Sequence, residues 1–337
     1  MSSVDVALGS DDELQQLLSL KDADSYLLGD AIAHVFNQTL QRDMYFGAWA
    51  DAYFHEKDQK YHVKLTSPDK DLSAYRSTIP KALSAMGIAL KIYQELSIDS
   101  PKLKFYLPFG LSMAAYKSVQ LLHFPPSEAM EFSDYLYNPT CRRWELLLLH
   151  NGFDGRENTL LERLIDLVPF AAPGGDSKDI DNYNATFEKY VISLIEVFLS
   201  ANARRSLTAP MVVGGGPAIE TIARHYRNQL PEGEELSPMS LVSLEIIAGK
   251  KTPLLCTNHP STYLYYAYGS ATEPPNRKKA AEIMQQDLIC AGWQAAMAQD
   301  WRLDPREVLT KMKRRWSSKE KVKKVMKESG PEWSFSH

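Results

Sequence analysis

Nowhere in its 337 residues does the chain carry an uninterrupted apolar run near the roughly 18 residues that a membrane-spanning helix needs. No membrane association is expected. Cysteine is scarce: Cys141, Cys256 and Cys290 are far apart and make neither a disulfide framework nor a CxxC metal knuckle. They read as small buried hydrophobes. The eight histidines (34, 55, 62, 123, 150, 225, 259 and 337) form no HxxxH or HxH pair, and no carboxylate cluster has ligand spacing. No metal site and no cofactor is therefore expected. A GxSxG elbow, internal repeats and low-complexity tracts are all absent. The leading residues, Met1 to Glu13, are acidic and lack the charged-then-apolar pattern of a secretory signal. The expectation is an intracellular protein, nuclear or cytoplasmic, and not secreted.

What the chain does have is an ordinary globular composition, 44% hydrophobic and 10% aromatic, with a concealed charge asymmetry. The net charge is −4, yet Lys311 to Lys327 holds nine Lys or Arg and one acid, Glu320. That segment carries +8 on a body of −12. A basic segment on an acidic body suits phosphates or an acidic protein partner.

Hydrophobic periodicity predicts helices over 22–36 and 79–93, the latter with Pro80 in its first turn, and hence a helical N-terminal region over 1–98. The pattern then changes. Lys102 to Phe109 is short and β-prone, and a helix-like segment runs on to Leu122. Arg142 to Asn151, Ala209 to Pro217 and Thr252 to Ser261 are solid apolar runs that end in polar or glycine-rich loops. Helical stretches are expected over 158–167, 181–200, 218–230 and 278–299. Short apolar runs alternating with helices predict an α/β fold, a three-layer α/β/α body over 99–305 with a short, mostly parallel sheet. A basic C-terminal tail is expected over 306–337.

Three strand-end loops carry candidate chemistry. Thr252-Pro-Leu-Leu-Cys-Thr-Asn-His-Pro-Ser-Thr262 delivers Asn258, His259 and Ser261 to one point. Histidine there can move a proton or stabilise an anion near neutral pH, and Pro260 restricts the turn. Gly214, Gly215 and Gly216 form a strand-to-helix turn whose free backbone N–H groups could face an anion. It matches a dinucleotide fingerprint poorly, since Ile219 stands where Gly or Ala is wanted. His150-Asn-Gly-Phe-Asp-Gly155 is the third loop, with His150 and Asn151 as its polar groups.

Leu146-Leu-Leu-Leu-His-Asn151, then Val212-Val-Gly-Gly-Gly-Pro-Ala218, then Leu254-Leu-Cys-Thr-Asn-His-Pro-Ser261 resembles the order of motifs in the uracil-DNA glycosylase superfamily. The resemblance covers about residues 100 to 270. It implies a DNA partner, with Asn151 (or His150) reading the edge of a flipped base and His259 stabilising the departing base anion. Tyr263, Leu264 and Tyr265 would fill the gap left in the duplex. Lys311, Lys313, Arg314, Arg315, Lys323 and Lys324 would hold phosphates. The family's first strand ends in a loop that supplies the water-activating group, whereas Leu107 to Tyr116 here offers no carboxylate or amide. The resemblance therefore implies base excision or, with catalysis lost, nucleic-acid binding alone. A non-enzymatic interaction protein and a small-molecule hydrolase or lyase remain alternatives.

Overall fold

The structure, a computed structural model, describes residues 2–7, 51–57, 60–67, 104–105, 118–122, 139–153, 163–166, 170–171, the helical positions 192, 195, 196 and 199, then 206–270 and 272–328. The strands in chain order are β1 (Ser2–Ala7), β2 (Asp51–Lys57), β3 (Lys60–Ser67), β4 (Lys104–Phe105), β5 (Val119–Leu122), β6 (Arg163–Asp166), β7 (Phe170–Ala171), β8 (Met211–Gly214), β9 (Leu241–Ile247) and β10 (Lys250–Thr257). The helices are α1 (Pro139–His150), α2 (Gly216–His225), α3 (Thr262–Tyr268), α4 (Arg277–Gln299), α5 (Pro305–Arg315) and α6 (Lys319–Glu328).

The chain divides into two compact units, one formed by 1–115, 124–130 and 166–202, the other by 116–123, 131–165 and 203–337. In the first, β1, β3 and β2 form an antiparallel sheet in that order, with Val63 opposite both Val6 and Phe54. This corrects the helical expectation for residues 1–98 where they are described. Tyr61, Val63 and Leu65 alternate with His62, Lys64 and Thr66, a period of two that suits a strand. The helices expected over 22–36 and 79–93 lie outside the described residues. β4 falls inside the expected strand at 102–109 and pairs with β7.

The second unit is α/β. Its sheet has the order β6-β5-β8-β10-β9. β5 and β10 flank β8 in parallel, with Leu254 opposite Met211 and Thr257 opposite Gly214, and β9 closes an antiparallel hairpin on β10. Gly249 turns that hairpin at φ +71°, a left-handed conformation glycine adopts without penalty. β9 escaped sequence reading, although Leu244 and Ile246 are buried and Ser243 and Glu245 exposed, the alternation of a half-covered strand.

Three further expectations are corrected. The run Arg142 to Asn151 is no strand: it is helix α1, ending at His150. Trp144, Leu147 and Leu148 are buried, while Glu145 and Leu149 are exposed, the i, i+3, i+4 stripe of an amphipathic helix. Four consecutive leucines hide that stripe, because Leu149 is 51% exposed despite its hydrophobicity. Strand β6 occupies part of the expected helix at 158–167, and β5 occupies the end of the expected helix before Leu122. The basic segment is not a tail as far as Glu328. α5 and α6 bury Val308, Leu309, Met312, Trp316, Val322 and Val325 along one seam.

Helix α4 is the spine of this unit. It is buried at 14 of its 23 positions, which suits a helix enclosed on nearly all sides. Trp293 of α4 and Trp144 of α1 are the largest fully buried side chains among the described residues, and each buried Leu, Ile or Met around them contributes about 1.5–3 kcal/mol by leaving water. Val212 and Leu255 of the sheet pack into the same core. Among the described residues no helix is long and apolar enough to cross a membrane.

Candidate functional site

β8 and β10 run parallel and end side by side, so the loops after them meet. The Gly215 N–H donates to the Thr257 carbonyl at 3.1 Å. Gly215 has φ +95°, and a Cβ there would lie 3.2 Å from the His259 Cβ. Glycine is needed twice over, for the backbone angle and for the close approach. The glycine turn and the Asn258-His259-Pro260-Ser261 loop are thus one piece of surface.

The loop is held from within. Ser261 donates its backbone N–H to His259 Nδ1 at 3.2 Å, and its Oγ lies 2.6 Å from the same nitrogen. With Nδ1 accepting, the ring proton belongs on Nε2. Burial, and then the charge of Arg143, pull the His259 pKa down to about 4. At neutral pH the side chain is therefore a neutral Nε2–H donor. An imidazole this weakly basic is a poor proton acceptor for activating Ser261, and a good donor to an acceptor or a developing anion.

Beneath the loop lies a polar seat that sequence reading missed. Arg143, on α1, donates to the Pro260 carbonyl and to Asp287 of α4, each at 2.6 Å. Its guanidinium also sits 4.5 Å from the centre of the Tyr263 ring, a cation–π contact. Asp287 is fully buried; burial pushes its carboxyl up, and the Arg143 charge pulls it back. Next to it on α4, Gln286 accepts from the Asn258 amide at 2.7 Å. The signal in the sequence was a lone acid in the apolar stretch Ile283 to Trp293 and an arginine leading into the leucine run.

The other sequence candidates separate from this loop. Asn151 follows α1, seven residues beyond the turn that carries Trp144, and is 4% exposed. It donates to Leu147 O (2.8 Å) and Leu288 O (2.9 Å), and accepts from Trp316 Nε1 at 2.9 Å. Every polar atom of its side chain is engaged in joining α1, α4 and the α5–α6 turn. Gly292 makes room for it, since a Cβ there would lie 2.5 Å from Asn151 Oδ1. His150 is half-buried, its pKa lowered by burial, and stands 3.9 Å from the Glu328 carboxylate. Leu264 packs against the core, and Tyr265 is exposed and donates to Glu273 at 2.7 Å. Neither is arranged as a free wedge.

No protein-family model and no curated protein matches the chain.

Chemistry at this site rests on few groups. The Cys256 thiol, pushed up to about 12 by burial, is protonated and unreactive, and burial raises the Cys290 thiol as well. Among the described residues no group of three or more His, Cys, Asp or Glu could hold a metal.

A second candidate surface is electrostatic. Arg306, Lys311, Lys313, Arg314, Arg315, Lys319, Lys321, Lys323, Lys324 and Lys327 are all exposed, each on α5 or α6. Between Arg306 and Glu328 there are three acids, giving +7. Among the described residues, ion pairs engage Lys323 with Glu320 (3.2 Å) and Lys324 with Glu328 (3.7 Å). The lysines and arginines at 306, 311, 313, 314, 319, 321 and 327 face water with no acidic partner among the described residues.

Proposed function

We propose that this protein binds nucleic acid through α5 and α6, with the His259 loop as a base-accepting site of uracil-DNA-glycosylase-like type. The observation that carries the reading is the basic surface on two packed helices. A segment whose apolar residues are buried in a seam presents its cations in fixed positions, and such a surface matches a polyanion better than a solvated tail would. Phosphate contacts of this kind release counterions, so affinity should fall steeply with salt.

The base-site half of the proposal rests on His259. A neutral imidazole Nε2–H donor suits the carbonyl oxygen of a base, and it suits the anion that would remain after N-glycosidic cleavage. Two carboxylates come near the loop among the described residues: Asp287, fully buried against Arg143, and the exposed Glu220, whose Oε1 would lie 3.9 Å from a Cβ on Gly216; no hydrogen bond joins either to His259. We therefore favour binding over base excision. The same proposal includes the layering: Val212 and Leu255 pack with α4, while Met211, Val213, Leu254 and Cys256 are equally buried, as expected of a sheet covered on both faces in a three-layer arrangement.

Fluorescence anisotropy with labelled single- and double-stranded 20-mers tests the reading. About six phosphate contacts would give a slope near −5 in log K against log [salt] for duplex DNA. Replacing Lys313, Arg314 and Arg315 by Gln should lower that slope by about 2–3. Absence of salt-dependent binding to either form would refute nucleic-acid binding and leave an acidic protein as the partner to seek. Incubation with uracil-containing DNA, comparing wild type with His259→Ala, decides whether cleavage accompanies binding.

A further inference from the structure

We infer that the α5–α6 turn and the His259 loop serve one ligand, a nucleic-acid strand whose phosphates lie on Lys313, Arg314, Arg315 and Lys319 while one of its bases reaches the loop. This rests on the nucleic-acid reading above and adds where the strand runs. The two elements are far apart in sequence but are fastened to the same two helices.

On α4, consecutive residues hold them. Gln285 donates to the carbonyl of Trp316, in the turn, at 2.6 Å, and Gln286 accepts from Asn258, in the loop, at 2.7 Å. Consecutive Cα atoms are about 3.8 Å apart. On α1, Arg143 holds the loop through Pro260, and the His150 carbonyl accepts from Arg315 at 3.2 Å. Those two anchor points are seven helical residues apart, about 10 Å along the axis at 1.5 Å per residue. That is roughly three steps of stacked strand at 3.4 Å per nucleotide.

The attachments are direct; those of Arg143 to Pro260 and of Trp316 to Asn151 are buried, those of Gln285 and Gln286 are half-buried, and that of Arg315 is exposed. Trp316 is 6% exposed, and its Nε1 donates to Asn151, so the turn is fixed relative to α1 by its own side chain. Around it the cations crowd: Lys313, Arg314 and Arg315 precede Trp316, and Lys319 and Lys321 follow it, with Glu320 the single acid among them. On the loop side, Tyr265 and Tyr268 are 41% and 43% exposed on α3, immediately after the loop. Exposed aromatic rings and a cationic track on one unit suit a single strand, since bases stack on the rings while phosphates meet the charges.

Short oligonucleotides test this. The wild-type chain is titrated with a thymidine tetramer, and with the same tetramer in which the central bases are replaced by abasic tetrahydrofuran. A base seated at the loop predicts roughly tenfold weaker binding of the abasic tetramer, the usual value of one stacked base. A tetramer carrying 5-iodouracil should photo-cross-link within residues 258–268, and Lys313→Gln/Arg314→Gln/Lys319→Gln should abolish that cross-link. All three substitutions are on exposed side chains. Tyr265→Ala, also exposed, should remove most of the difference between the two tetramers. If the tetramers bind equally and cross-links fall outside 258–268, the shared track is wrong while nucleic-acid binding stands. If neither tetramer nor the 20-mers bind, both fall together.

Discussion

Removing Arg143 is the most informative single change, because its side chain holds both the fold and the loop. In Arg143→Met the aliphatic stem is kept and the charge is lost. Asp287, fully buried, then has no counter-ion at 2.6 Å, and the Pro260 carbonyl loses its donor. Breaking one side of a buried pair costs about 3–5 kcal/mol, because an uncompensated charge remains in the interior. For a unit of this size each kcal/mol lowers Tm by about 2–4 °C, so a loss of about 10 °C is expected. The double variant Arg143→Met/Asp287→Leu should recover most of that loss, since a buried pair replaced by apolar groups is often neutral. The loop would still lack the Arg143 donor, so the double variant should fold normally yet show altered amide resonances for Ser261 and Thr262. Thermal and urea unfolding of the three proteins, with an NMR spectrum of each, make the comparison. The pH dependence has a definite sign. Without the guanidinium, the folded carboxyl binds its proton more tightly than the unfolded one, so the single variant loses stability as pH rises from about 4. An Arg143→Met protein within 1 kcal/mol of wild type at pH 7, with an unchanged Ser261 amide, would refute the proposed seat.

The folded His259 pKa, about 4, lies below the ordinary value of 6.5, so the folded state binds fewer protons than the unfolded one in between. Stability should be complete above pH 6.5 and fall as pH drops towards 4, by an amount of about 3 kcal/mol, and His259→Gln should flatten that part of the profile in urea titrations. Gly215→Ala strains a residue at φ +95° and presses on His259; it should cost about 1–3 kcal/mol and shift the His259 ring resonances. Gly292→Ala gains helix propensity of about 1 kcal/mol, but its Cβ would stand 2.5 Å from Asn151 Oδ1 and 2.7 Å from Met312 Sδ. A net loss of about 1–3 kcal/mol, with quenching changes at Trp316 fluorescence, is the expected result.

The sequence made the strand-end loops legible because they are local. An apolar run that stops at Asn258, and three glycines after Val213, announce themselves without any knowledge of the fold. Placing β8, α2, β10 and α4 followed from the same local signals. Long-range packing decided the rest. Whether Leu146 to Leu149 forms strand or helix depends on which leucine is left outside, and that is set by α4 pressing on Trp144, Leu147 and Leu148. The strand pattern of 60–67 lies in the alternation of Tyr61, Val63 and Leu65 with His62, Lys64 and Thr66, a short signal between longer stretches of helical spacing. The basic segment could be read as charge; that Val308, Leu309, Met312 and Trp316 bury a seam between its cations needed their 3.6-residue spacing to be read beneath the lysines.

Asn151 and Asp287 show what residue type alone does not tell about a polar side chain. Both are polar side chains enclosed by apolar neighbours, and an enclosed polar group must find partners or destabilise the fold. Asn151 finds three, in two carbonyls and an indole N–H, and is spent entirely on joining helices. Asp287 meets Arg143 through Oδ2, while its Oδ1, the Arg143 Nε and the Thr257 Oγ1 find no partner of good hydrogen-bond geometry among the described residues. A pair so enclosed and incompletely satisfied is an expensive way to hold two helices together, and apolar side chains would do that as well. What apolar side chains would not do is hold the Pro260 carbonyl. The cost falls where β10 gives way to the His259 loop, and this is the physical reason to place function there rather than at Asn151.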